Sequence, residues 1–158
     1  MQFTHEAQIS VEAPCGDVWD DWSSVHHLPQ FLSHLRGTAV GPEDDLARLV
    51  IALDGRHLEF AAQRTMCESE TVCESKTVCW QSLGPSFLYV LTVCVAPCHD
   101  GKTAITVVVA YDPPGFLPDI AESLGRSKVF RAALEDDLRR YARAYSALGQ
   151  RAELAAAI

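Results

Sequence analysis

Between Leu35 and Asp112 the chain is a succession of strand-forming runs cut by turn signals, and beyond Asp112-Pro113-Pro114-Gly115 the period becomes helical. Segments 35–41, 46–53, 57–68, 77–82, 86–97 and 103–112 are rich in Val, Leu, Thr and aromatic residues. Between them stand Gly41-Pro42-Glu43-Asp44, Asp54-Gly55, Gly84-Pro85 and His99-Asp100-Gly101. Asp54-Gly55 and Asp100-Gly101 are strong hairpin signals, because a type I′ turn needs positive φ at both central residues. Closely spaced hairpins make an antiparallel meander. The turn between Arg64 and Trp80 has two candidates, Glu68–Thr71 and Glu74–Thr77.

Ahead of the meander, Phe3, Ala7, Ile9 and Val11 share one parity, which predicts a first strand over Gln2–Glu12. Ala13-Pro14 ends it. A short helix follows over Asp17–Trp22, and Ser23 or Ser24 is placed to cap a second one carrying Val25, Leu28, Phe31 and Leu32. After the meander, Ile120, Leu124, Ser127, Phe130, Leu134, Leu138, Tyr141, Tyr145 and Leu148 recur at steps of three and four, the mark of a one-sided helix. Gly125 is read as dividing a lead-in helix from the long one. The tail 150–158 is expected to fray, which leaves residues 1–149 as a single domain. One antiparallel sheet with one long amphipathic helix is an α+β arrangement. A sheet curled around that helix leaves an internal cavity.

The 158 residues suffice for one domain with a substantial core. The formal net charge of −8 argues against nucleic acid or an anionic membrane as the main partner. No apolar run is long enough for a membrane-spanning helix, and the start has no signal-peptide pattern, so the expected location is the cytoplasm. Six cysteines lack the spacing of a zinc knuckle or redox motif. Three of them lie in a six-residue unit written three times, at Thr65, Thr71 and Thr77. The repeat reads as strand lengthening, with cysteine as a small hydrophobe. A metal site is the sharper alternative, but no histidine stands at ligand spacing.

Val11-Glu-Ala-Pro14, Val18-Trp19-Asp20, Leu28-Pro29-Gln-Phe31, Trp80-Gln-Ser82, Gly101-Lys-Thr103 and the Leu134–Tyr141 stretch together resemble the START-like, helix-grip superfamily over nearly the whole chain. Leu58–Arg64 and Gly84–Tyr89 look most like the aromatase/cyclases of aromatic polyketide pathways. The resemblance implies a curved antiparallel sheet of about seven strands around a long C-terminal helix, with two short helices after the first strand. It implies a cofactor-independent enzyme that folds and cyclises a hydrophobic intermediate by aldol-type condensation and dehydration. The alternative is a non-catalytic carrier of a lipid, quinone or polyketide-like ligand. The implied partner is a small hydrophobic molecule delivered by an acyl carrier protein, and the implied assembly is a monomer or homodimer. In the aromatase/cyclases an arginine near the end of the equivalent strand serves catalysis, and the match falls on Arg64. Their pocket tyrosine would fall near Leu35, where none stands.

Arg64 is also distinctive by pattern. Alternation puts Leu58, Phe60, Ala62, Arg64 and Met66 on one face, with Arg64 its single charge. Buried alone, a guanidinium is costly, so it needs a carboxylate such as Glu59 or Asp112, a route to solvent, or a polar ligand. In a pocket it would hold an enolate or ketone oxygen. Tyr89 and His34 are the other catalytic candidates: Tyr89 brings a hydroxyl to a strand facing the helix, and His34 follows the second short helix near the pocket entrance. Phe60, Trp80, Phe87, Tyr111, Phe116, Ile120, Leu124 and Phe130 are the expected apolar lining. Trp19 and Trp22 read as anchors of the first helix. The acidic pairs Asp20-Asp21 and Asp136-Asp137 read as solvated faces.

Overall fold

The structure, a computed structural model, describes residues 3–41, 45–53, 55–68, 75–84, 87–112 and 120–157, with side chains throughout except at 66–68, 99, 120–124 and 147–157. Its strands are β1 (Phe3–Val11), β2 (Leu35–Val40), β3 (Leu46–Leu53), β4 (Arg56–Glu68), β5 (Lys76–Ser82), β6 (Tyr89–Pro97) and β7 (Thr103–Tyr111). They form one curved seven-stranded sheet in the order β1-β7-β6-β5-β4-β3-β2. β2 to β7 are the expected meander, and β1 adds antiparallel beside β7. The helices are α1 (Cys15–Ser23), α2 (Leu28–Phe31) and α3 (Ile120–Ala157), with 3-10 turns at Val25–His27 and His99–Gly101.

Period-two patterning decides which face is inward. On β3, Ala47, Leu49, Ile51 and Leu53 are buried, on β6 Tyr89, Leu91, Val93 and Val95, and on β7 Ile105, Val107, Val109 and Tyr111. On β4, Ala62 is buried and Leu58, Phe60 and Arg64 are half-buried, whereas His57, Glu59, Ala61, Gln63 and Thr65 are exposed. Leu134, Leu138 and Tyr141 close the core from α3. Trp22, fully buried, packs against Phe31 and Tyr141 with ring centroids 5.2 Å away in each case, so it anchors α1 to α3 as its sequence position implied.

The turn chemistry is as expected where it is described. Asp100 and Gly101 both have φ of 72°, and Gly55 has φ of 76°. Leu53 pairs with Arg56, so the β3–β4 connection is a two-residue turn. In the β4–β5 hairpin Thr77 pairs with Cys67 and Lys76 with Glu68, which rules out a turn over Glu74–Thr77. Part of the other candidate, Glu68–Thr71, lies outside the described residues. The first and third copies of the repeat are therefore cross-strand neighbours. Among the described residues no cluster of His, Cys, Asp or Glu could hold a metal ion.

Three expectations need correction. Gly125 does not divide α3, which runs unbroken from Ile120 to Ala157. A Cβ at Gly125 would meet no atom within 4 Å, so the residue marks open space and not a break. The helix takes in residues 150–157, whose Gln-Arg-Ala-Glu-Leu-Ala-Ala-Ala are strong helix formers. Ser24 stands at the N-cap of the 3-10 turn without capping its backbone, and its Oγ pairs instead with His26 Nε2 at 3.0 Å. The acidic pairs are only partly solvated. Asp21 accepts the hydroxyls of Tyr141 (2.7 Å) and Tyr145 (2.8 Å), and Asp137 is 3% exposed.

Candidate functional site

Among the described residues a cleft of about 720 Å³ opens between α3 and the β2–β3–β4 end of the sheet. Ser33, His34 and Arg36 form one wall, Ala52, Leu53 and Gly55 the floor, and Gly125, Arg126, Val129, Phe130 and Ala133 of α3 the roof. The roof thus comes from the first half of α3. Val129 is 71% exposed there, an apolar side chain left uncovered at the lip. Such a cavity suits a mostly apolar small molecule.

Among the polar groups of the cleft wall, His34 is buried. Its Nε2 lies 2.6 Å from the Tyr89 hydroxyl in a buried hydrogen bond. Local structure holds both partners. Ala52 N–H donates to the His34 carbonyl at 2.8 Å, and the neighbouring Ser33 donates from its N–H and its Oγ to Asp137 Oδ2, each at 2.9 Å. Ser82 Oγ accepts from Tyr89 N–H at 3.0 Å and donates to the Phe87 carbonyl at 2.8 Å, which pins the start of β6. Around the pair, Phe60, Phe87 and Tyr89 pack with centroid separations of 5.2 to 6.3 Å, and Phe130 lies edge-on 5.1 Å from His34.

Burial sets the charge state. Desolvation pushes the His34 pKa down from 6.5 to about 3, and it pushes the Tyr89 phenol up. The pair is neutral at physiological pH. It therefore works as a hydrogen-bonded donor–acceptor unit and not as an ion pair, with the proton's position depending on the imidazole tautomer.

The candidates divide between two places. His34 and Tyr89 come together. Phe130 lines the cleft, and Tyr111 packs on Phe130 at 5.6 Å. Arg64 lies on the inward face as expected, yet it lines a separate pocket of about 240 Å³ with Ser23, Ser24, Val25, His26, Val40 and Trp80. Its guanidinium stands 6.0 Å from the Trp80 ring centroid, and among the described residues it makes no ion pair. Glu59 is taken by Arg48 at 2.9 Å. Trp80 is buried with its Nε1 unpartnered, so it belongs to this second pocket and not to the cleft lining. Phe116 and the side chains of Ile120 and Leu124 lie outside the described residues.

Residue-by-residue reading passed over two groups. Asp137 looked solvated because its partner Ser33 is 104 residues away in sequence. His5 shares the inward parity of β1, a signal present in the sequence. It is 1% exposed, with neither ring nitrogen hydrogen-bonded. Phe3, Tyr111 and Phe130 surround it at 6.5, 5.7 and 4.9 Å. Burial and, secondarily, Arg131 lower its pKa.

A curved antiparallel sheet closed by a long helix, with an apolar cleft between them, is the START-like helix-grip architecture of hydrophobic-ligand-binding domains. The chain belongs to the polyketide cyclase / dehydrase and lipid transport family, whose model matches residues 11–136. No curated protein matches the chain. Similar solved structures include a protein of Deinococcus radiodurans, at TM-score 0.68 and 20% identity over 90% of this chain and 95% of that one. A START superfamily protein of Mycobacterium smegmatis aligns at TM-score 0.56 and 17% identity, over 87% of this chain and 98% of that one. The di-domain aromatase/cyclase BexL of the BE-7585A biosynthetic pathway aligns at TM-score 0.53 and 19% identity, over 87% of this chain and 47% of that one. These likenesses establish the fold. Among the described residues no helix is long and apolar enough to cross a membrane.

Proposed function

We propose that the protein takes a flexible, mostly apolar, ketone-bearing intermediate of polyketide type into the cleft and promotes its aldol-type cyclisation and dehydration. The supporting observation is the neutral His34–Tyr89 pair, bonded at 2.6 Å, with His34 in the cleft wall and Tyr89 buried behind it. A neutral donor in a dry site polarises a carbonyl without first surrendering a charge. The Tyr89 hydroxyl would hold the ketone under attack and give its proton to the alkoxide as the new carbon–carbon bond forms, while the α-hydrogen lost by the attacking carbon would return to Tyr89 as a proton through His34. Loss of the resulting hydroxyl with an α-hydrogen releases water. Restricting chain conformers and excluding solvent would supply much of the acceleration. Delivery by an acyl carrier protein fits the rim, where Arg36 and Arg126 would meet an acidic partner.

The carrier reading keeps one specific observation in its favour. Arg64, the cation matched to the cyclase arginine, lines the other pocket and not the cleft that holds His34. The two readings separate when binding and turnover are measured apart. Binding of the fluorescent naphthyl ketone prodan is expected in the unaltered protein and weakens about tenfold in Tyr89→Phe, the cost of one hydrogen bond of about 1.4 kcal/mol. Arg64→Ala leaves prodan binding unchanged. With a short linear diketone whose closure and dehydration give a conjugated cyclohexenone, the unaltered protein accelerates enone formation and Tyr89→Phe does not. Prodan binding without any acceleration establishes the carrier instead.

A further inference from the structure

Among the described residues four carry a buried side-chain nitrogen without a partner, and His5 is the one that carries two. Both ring nitrogens are buried without a hydrogen-bond partner. A buried polar group left unsatisfied carries a desolvation cost that native folds avoid unless something answers it. What separates His5 from the cleft is a single ring. Phe130 lines the cleft, stands 5.1 Å from His34 on one side and 4.9 Å from His5 on the other. Phe130 is only half-buried, and it lines the open cleft into which a displaced ring can turn. Tyr111 packs against both rings, 5.7 Å from His5 and 5.6 Å from Phe130.

We infer that the cleft has a second, inner polar subsite at His5, opened when an entering ligand turns Phe130 aside. This rests on the cleft being the ligand site, and it adds the class of ligand: an apolar, flat molecule with two separated oxygen functions. One oxygen meets the His34–Tyr89 pair and the other meets an imidazole nitrogen of His5. A neutral imidazole offers one donor and one acceptor, so it serves a hydroxyl or a carbonyl equally. Phe130 then covers the apolar middle of the ligand instead of filling the space itself.

The test uses two probes of nearly one shape: naphthol, and the dihydroxynaphthalene with one hydroxyl on each ring. The unaltered protein binds the dihydroxy compound about tenfold more tightly. In His5→Phe, which fills the same space without an unsatisfied nitrogen, the preference disappears while naphthol affinity is retained. Thermal unfolding of this variant is expected at or above that of the unaltered protein, which shows that loss of preference is not loss of fold. A measurement on the unaltered protein stands beside it, in case the variant does not fold. Long-range proton–nitrogen NMR correlations of the His5 ring shift on adding the dihydroxy compound and not on adding naphthol. A preference that survives in His5→Phe, or a His5 ring indifferent to both probes, overturns the inner subsite while leaving the cleft intact. Failure of either probe to bind the unaltered protein overturns the cleft and the subsite together.

Discussion

Asp137→Ala is expected to lower stability by about 3 kcal/mol, since it removes a buried carboxylate accepting charge-assisted hydrogen bonds. Asp137 is 3% exposed and accepts from Ser33 N–H and Ser33 Oγ at 2.9 Å each, and from Arg140 at 2.6 Å. These bonds tie the turn ahead of β2 to the middle of α3, across 104 residues of chain. At about 2–4 °C per kcal/mol for a chain of this size, the thermal midpoint should drop by about 10 °C. Asp136→Ala is the matched control. Its carboxylate is 69% exposed and pairs with Arg139 on the surface, so the change should fall within about 0.5 kcal/mol. Asp137→Asn keeps an acceptor for Ser33 and should recover more than half of the loss. Urea unfolding of the three variants checks the order, and equal effects at 136 and 137 would contradict the role assigned to Asp137. Because Ser33 precedes His34, Asp137→Ala should also weaken prodan binding, whereas Asp136→Ala should not.

The second large effect concerns acid. In the unfolded chain His34 takes a proton near its ordinary pKa of 6.5, but burial holds it neutral in the folded protein down to about 3. Between those values the unfolded chain binds a proton that the folded one refuses. Stability is therefore fully present above about pH 6.5 and falls as pH drops through this window, by about 1.4 kcal/mol per pH unit from this group. Against a typical total of about 5–15 kcal/mol, that alone brings the protein near unfolding in mild acid. His34→Gln keeps a polar partner for Tyr89 and removes the titration. Its stability should be flatter than that of the unaltered protein between about pH 6 and pH 4, while His5, whose pKa burial lowers in the same direction, contributes equally to both. Chemical denaturation at stepped pH reads the two slopes. Parallel slopes would mean that His34 is not buried neutral.

Local patterns carried most of the fold. The strand limits read from composition agree with the observed ones to within a few residues, because each run is bounded by residues such as Asp100 and Gly101 that alone tolerate positive φ. Alternation on β4 correctly put Arg64 inward and Glu59 outward. Arg64, however, shows what periodicity omits. It states which face a residue is on, but not which end of the concave surface, and that end is set by how far α1 and the Val25–His27 turn reach across the sheet. Asp21 and Asp137 were hidden for a related reason. Adjacent acids on a helix look solvated until a partner more than a hundred residues away supplies donors. The His34–Tyr89 bond spans 55 residues, and spacing placed the two residues at the same cavity without pairing them. His5 was legible in the parity of β1 but carried no sign of its missing partners, which are a property of the packed interior.

The central claim is that ligand enters at the His34 end of the concave face. Backbone amide NMR of the labelled protein titrated with prodan measures this directly. The account predicts perturbations centred on 33–36, 52–55 and 125–133, with the Tyr89 amide following as its hydroxyl engages the ketone. Perturbations centred instead on 23–26, Val40, Arg64 and Trp80 would contradict it, and would place the ligand in the pocket beneath α1.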